Sequence, residues 1–262
     1  MIGSQVREAP HKTLREIASE WDEVAARRDS QIRRGRDVSY TKVLVPEVLK
    51  LALSADWSLV LDVGCGTGTL AELLGRTATR VVGVDISRRS IAIAQRSTLR
   101  GPNTKYVATS IERFGEGYRG PRFTLIIANM MVQTAPNLQS VIHAIANLLH
   151  PGGRLVMTVT HPCFWPEYWG YARKDWFRYE RETGIEAPFR ISNDVRPVGI
   201  TTHFHRPLAQ YFHVLRHRDL HVQVLREPVP DQKVQQLYPK AWRFPRFLSM
   251  SCVASPTKRS TE

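Results

Sequence analysis

Cysteine is scarce in this chain of 262 residues, and Cys65, Cys163 and Cys252 are too widely spaced for a paired-ligand zinc site or a disulfide-stapled secreted domain. A reducing compartment, the cytoplasm, is therefore the expected location. No stretch approaches the roughly 20 apolar residues that a membrane-spanning helix needs, and the first segment, MIGSQVREAPHKTLREIASEWDEVAARR, lacks the apolar block of a secretory signal. Acidic residues are also few: 24 against 37 basic ones, a formal net charge of +13. Such a field favours polyanions. The 29 Arg and 8 Lys are spread along the chain, however, as a genome favouring arginine codons would also produce, so nucleic acid is not the expected partner.

What is present suffices for one large core, since 42% of the residues are hydrophobic. Leu14, Ile17, Trp21 and Val24 recur at helical spacing, RRDSQIRRGRDVSYT reads as a polar connection, and Val43 to Leu51 resumes a helix around Pro46. Leu59 to Val63 is a buried strand followed by glycines and the helical run LAELL. Arg80 to Val84, Tyr106 to Ala108, Phe123 to Ala128 and Arg154 to Thr160 repeat the strand signal, with helices at Ile91 to Arg96 and Leu138 to Leu149 between them. Strands apolar on both faces, separated by helices, predict an α/β fold with a mostly parallel sheet covered on each side.

From His161 to about Thr202 this rhythm is lost, and HPCFWPEYWGYARKDWFRY mixes aromatics, prolines and charges. The segment is expected to be a lid, with short strands at Phe189 to Ile191 and Gly199 to Phe204. A helix from Pro207 and strands at HVQVLRE and FLSMSCVA complete the chain. The expected layout is an N-terminal helical cap over residues 1–55, a core over 56–160, a lid insertion over 161–206, a completion of the sheet over 207–254 and a frayed tail over 255–262.

In LDVGCGTGTL, Asp62 closes a strand, and Gly64, Gly66 and Gly68 let the backbone approach a ligand at a helix start. Seventeen residues after Gly68 the next strand ends in Asp85, placed to accept two ribose hydroxyls. A dinucleotide site would run G-x-G-x-x-G. The spacing here differs, and an acid at Asp62 suits an amino group better than a pyrophosphate. Cys65, inside the loop, has no base or metal partner nearby and reads as a small packed residue.

The segment LDVGCGTG resembles that of the class I S-adenosylmethionine-dependent methyltransferases, with the resemblance strongest over residues 57–160. It implies a Rossmann-like seven-stranded sheet with S-adenosylmethionine as cofactor. Gly64, Cys65, Gly66 and Gly68 would line its methionine end, Asp62 would hold the amino group, Asp85 the ribose and Ile86 one adenine face. Ser110, Ile111 and Glu112 would contact the adenine from the third strand end, and Asn129 and Met130 would lie beneath the transferable methyl. HPCF with HRPLAQYFHVL resembles a bacterial subgroup of small-molecule methyltransferases, which implies a small-molecule acceptor in specialised metabolism.

His161 directly follows the fifth strand, at the edge where an α/β sheet binds ligands, and is the candidate base or orienting group; a structural loop histidine is its alternative. His205, just before Pro207, is a second candidate catalytic residue. Phe164, Trp165, Tyr168, Trp169 and Trp176 are expected to wall the acceptor pocket, with Glu167, Asp175 and Glu180 orienting a polar or cationic acceptor. Tyr40 is expected to close over the site from the N-terminal region. His203, His205, His213, His217 and His221 lack a completing acid or thiol, so no metal is expected. An RNA or protein methyltransferase, a non-catalytic cofactor binder and a NAD-dependent oxidoreductase are the rival readings, and a homodimer is possible.

Overall fold

The computed structural model describes residues 5–97, 99–194 and 199–255. After a two-residue strand, β1 (Arg7–Glu8), a capping box starts helix α1 (Leu14–Arg33): Thr13 accepts the Glu16 N–H while Glu16 accepts the Thr13 N–H. α1 runs seven residues into the segment expected to be a polar connection. Ile17 and Val24 are fully buried and Gln31 and Ile32 continue that face, so the polar run is the solvated side of one long helix. A π-helical stretch, Ser39–Leu44, leads into α2 (Val45–Ala52).

The alternating region follows as β2 (Leu59–Val63), α3 (Thr69–Leu74), β3 (Arg80–Asp85), α4 (Arg88–Arg96), β4 (Thr104–Ala108), α5 (Ile111–Gly117), β5 (Phe123–Asn129), α6 (Leu138–Leu148) and β6 (Leu149–Thr160). Period-two alternation sends Val60, Leu125, Ile127 and Val156 into one core and Leu61, Ile126, Leu155 and Met157 into another. One face of the sheet is covered by α2, α3 and α4, the opposite face by residues of α5 and α6, so the sheet is buried on both sides.

The rest of the chain forms α7 (Trp165–Trp169), β7 (Thr183–Pro188), β8 (Ile200–His205), α8 (Leu208–Arg216), β9 (Leu220–Arg226), α9 (Gln232–Gln235) and β10 (Phe247–Ala254). The seven-stranded sheet has the order β4-β3-β2-β5-β6-β10-β9, parallel except for β10, which runs antiparallel to both neighbours. Strand order reverses between β2 and β5, which opens a crevice at their carboxyl ends.

The lid segment differs from expectation. It contains a helix, and β7 and β8 form an antiparallel hairpin joined by β1 into a separate three-stranded sheet. Phe189 to Ile191 is not a strand; only Ile191 makes an isolated bridge, to Asp194. The hairpin is tied to the main sheet by Arg206, 1% exposed, whose guanidinium donates to the Val132 and Ala135 carbonyls at 3.3 and 2.6 Å and pairs with Glu182 at 2.9 Å. Among the described residues no helix is long and apolar enough to cross a membrane, and no cluster of His, Cys, Asp or Glu is placed to hold a metal. Apart from Ser255, the expected frayed tail lies outside the described residues.

Candidate functional site

β2 ends at Val63 and the chain turns through Gly64, Gly66 and Gly68 at φ of +70°, +54° and +84°. A side chain at Gly64 would strike Met131 Cγ at 2.4 Å, and one at Gly68 would strike the Tyr106 hydroxyl at 2.5 Å. A Cβ on Gly66 would meet nothing within 4 Å, because that residue opens onto a cavity of about 290 Å³. The volume lies near the lower end of small-molecule sites, roughly 300 Å³.

Asp85 closes β3 and fixes the loop: its Oδ2 accepts the Gly66 N–H and its Oδ1 the Ser87 N–H, both at 2.8 Å. Burial raises its pKa, and the two backbone donors oppose that rise. Asp62 is 2% exposed, and its Oδ2 has no hydrogen-bond partner. Burial, with a smaller contribution from Asp85, pushes its pKa up to about 7. A buried, unpartnered carboxyl at the strand switch point is matched to a cationic amino group, and the open face of Gly66 leaves room for the ligand that carries it.

The cavity brings together most of the residues expected from the sequence. Asp62, Gly64, Cys65, Gly66, Asp85 and Ile86 line it from the first two strand ends. Ser110, Ile111 and Glu112 line it from the start of α5, and Asn129 and Met130 from the end of β5. Asn129 Oδ1 accepts the Thr158 hydroxyl at 2.6 Å, and Met130 is held at φ +56°, a left-handed conformation rare outside glycine. Tyr40 closes the N-terminal side, with the Arg28 guanidinium 5.2 Å from its ring centroid. Trp165, Tyr168 and Trp169 form an aromatic part of the wall. Gly68 packs against Tyr106 outside the lining.

Both expected catalytic histidines and two of the expected aromatic wall residues also lie elsewhere. His161 is 2% exposed and outside the lining; its Nδ1 accepts the Cys163 N–H at 3.2 Å, which leaves the proton on Nε2 to bond Glu227 at 2.6 Å. Both ring nitrogens are therefore engaged, and the candidate base is a structural tie. Strand alternation is the reason, since Thr160 faces the cavity and the next residue turns away. His205 Nε2 bonds the Tyr179 carbonyl at 2.8 Å, again outside the lining. Phe164 stacks on Phe244 and Trp176 on Tyr171. We expect His161→Ala to lower stability by about 2 kcal/mol, through its lost ring packing and hydrogen bonds, and to leave cofactor affinity unchanged. Thermal unfolding and calorimetry on the same sample check both halves.

Sequence reasoning missed other members. His203 lines the cavity, and burial first and His205 second pull its pKa down to about 3, so it stays neutral. Arg28, Arg190 and Arg246 also line it, whereas Glu167, Asp175 and Glu180, expected to orient the acceptor, are exposed and outside it. No local pattern marks these arginines in a chain where 29 are spread throughout.

A family model described as a methyltransferase domain matches residues 13–193. The chain is 34% identical over 97 residues to the ubiquinone biosynthesis O-methyltransferase of Erwinia tasmaniensis, covering 37% of this chain and 40% of that protein. The same-named protein of Escherichia coli O127:H6 is 36% identical over 95 residues, 36% of this chain and 39% of that one. The matched region thus spans about 40% of the length of these curated relatives. Among solved structures, an S-adenosylmethionine-dependent methyltransferase from Listeria monocytogenes superposes with a TM-score of 0.61 at 21% identity, covering 80% of this chain and 97% of that one. The 1,6-didemethyltoxoflavin-N1-methyltransferase of Burkholderia thailandensis superposes with a TM-score of 0.56 at 19% identity, covering 95% and 93%. With a model spanning more than half of its length, the chain belongs to the methyltransferase-domain family, and its sheet has the fold of the solved methyltransferase structures.

Proposed function

We propose that this protein transfers a methyl group from S-adenosylmethionine to an oxygen or nitrogen of a small molecule, in specialised metabolism. The observation that carries the reading is the unpartnered Asp62 carboxyl, beside a loop tethered by Asp85, in a cavity whose wall is partly aromatic. Bound S-adenosylmethionine supplies a methyl carbon made electrophilic by its sulfonium. Asp62 holds the amino group, Asp85 accepts the ribose hydroxyls, and Ile86 and Ile111 flank the adenine with Ser110 and Glu112 at its edge. Asn129 and Met130, which line the cavity at the end of β5, would flank the methyl end.

With the donor bound, the chemistry would be an in-line displacement: the acceptor's lone pair would bond the methyl carbon as the carbon–sulfur bond breaks, the sulfur leaving as a thioether and the acceptor's proton passing to water. Alignment and exclusion of water are the main contributions such a site can make. Trp165, Tyr168 and Trp169 shield the reacting end, and neutral His203 is a hydrogen-bonding partner for an acceptor hydroxyl. A walled cavity of this size fits a small acceptor better than an RNA or protein segment.

Calorimetric titration with S-adenosylmethionine, S-adenosylhomocysteine and NAD tests the donor assignment. Selective binding of the first two is expected, and binding of NAD alone would reject it. The pH dependence follows from Asp62. Its folded pKa, about 7, lies above that of an exposed aspartate, so the free protein holds a proton that an unfolded chain has already lost. Between about pH 4 and 7 this group lowers folding stability as pH rises. Affinity for the cationic amino group runs the other way: it rises as pH increases from 5.5 to 7.5, and Asp62→Asn flattens the profile. A wild-type profile as flat as the variant's would remove Asp62 from the amino-group site.

A further inference from the structure

Arg246 precedes β10 by one residue, is 7% exposed and lines the cavity. Its guanidinium carbon lies 3.9 Å from the Tyr168 ring centroid and 4.4 Å from that of Trp242. Its hydrogen-bond partners are neutral, the Ser192 hydroxyl at 3.2 Å and the hydroxyl of Tyr168, and among the described residues no carboxylate pairs with it. Burial lowers its pKa, as befits a cation taken out of water without a counter-charge. The aromatic cage stabilises the charge by its ring faces, and the Ser192 and Tyr168 hydroxyls engage only part of its five-donor N–H edge.

A second, independent observation lies on the same wall. The indole nitrogens of Trp165 and Trp169 are buried without a partner, and both residues line the cavity. Their rings stack with centroids 5.0 Å apart and 15° between planes. An unmet buried donor is costly, and here one cation and two indoles on the acceptor side all donate. The acids that line the cavity are accounted for elsewhere: Asp37 pairs with Arg28, while Asp62, Asp85 and Glu112 stand at the strand ends assigned to the donor. Gln133 Oε1 is the contrary case, a buried acceptor without a partner.

We propose that Arg246, with the indole N–H groups of Trp165 and Trp169, binds a carboxylate carried by the acceptor molecule. A planar guanidinium packed against rings presents its N–H edge, the geometry that matches a carboxylate through paired hydrogen bonds. The stacked indoles suit a flat body beside that group. The proposal rests on the small-acceptor methyltransferase reading and narrows it to acidic acceptors, the reverse of the cationic acceptor expected from Glu167, Asp175 and Glu180.

The test titrates the full chain, saturated with S-adenosylhomocysteine, with benzoate and with its neutral isostere benzamide. Benzoate is expected to bind at least about 10-fold more tightly, the worth of a hydrogen bond to a charged group. Arg246→Gln is expected to remove that preference while leaving affinity for benzamide and S-adenosylhomocysteine within about twofold, which also shows that the variant folds. Should it fail to fold, Trp169→Phe, which keeps the ring and removes the donor, is expected to weaken benzoate binding several-fold and benzamide less. Equal affinity for the two probes, or binding of neither, overturns the carboxylate site and leaves the cofactor reading standing. Failure of S-adenosylhomocysteine to bind rejects the cofactor reading instead, and the benzoate preference, measured without it, still judges the carboxylate site.

Discussion

Asp85→Ala is expected to weaken S-adenosylhomocysteine binding by about 100-fold or more, measured by calorimetry. The carboxylate has two duties. It holds the Gly66 and Ser87 N–H groups at 2.8 Å, which fixes the loop, and it is assigned the ribose hydroxyls of the donor. Hydrogen bonds to a charged group are worth about 1.5–3 kcal/mol each, and every 1.4 kcal/mol is tenfold in affinity, so losing two gives this magnitude. Asp85→Asn keeps one carbonyl oxygen and should fall between the variant and the parent. An Asp85→Ala protein that binds as tightly as the parent would remove both duties.

The largest expected loss of stability comes from Arg206→Met. The arginine satisfies the Val132 and Ala135 carbonyls and pairs with Glu182, and its side chain is fully buried. Methionine fills much of the space but supplies no donor, leaving two carbonyls unmatched and Glu182 with Gln210 as its remaining partner. Breaking a buried pair from one side costs about 3 kcal/mol or more, which for a domain of this size lowers the thermal midpoint by roughly 6–12 °C. Differential scanning calorimetry reads it directly. A shift below a degree would show that the hairpin is held to the main sheet by other means.

The main sheet and the grouping of the glycine loop with Asp85 around one cavity were legible because their signals are local. Strands such as LVLDV are apolar on both faces, and the LDVGCGTG loop with Asp85 carries its geometry within about 25 residues of sequence. The acceptor side was not legible for the opposite reason. β1 pairs with β7 across the sequence from Arg7 to Glu186, and a two-residue strand has no periodicity to read. His161 shows how a correct strand end can give a wrong side chain, since position along the chain says nothing of which face the next residue takes. His203 and His205 occupy neighbouring positions of one strand side, yet His203 lines the cavity while His205 is spent on the Tyr179 carbonyl. Arg246 had no local mark at all, being one of many arginines in a stretch, AWRFPRF, without helix or strand rhythm.

The short strand β1 also has a bearing on which strand edges the molecule leaves open. β7 is the middle strand of its sheet, with β8 on one side and, among the described residues, Arg7 and Glu8 on the other, followed by the Ala9 N–H on the Gly184 carbonyl. Glu186 on β7 is held there by Arg7 and Lys12, so charged side chains as well as backbone bonds seal that edge. Clipping the chain ahead of α1 would strip the seal and leave β7 as an open template for strand addition by another molecule. Proteolytic trimming at the N-terminus is thus expected to show first as aggregation, before any loss at the glycine loop.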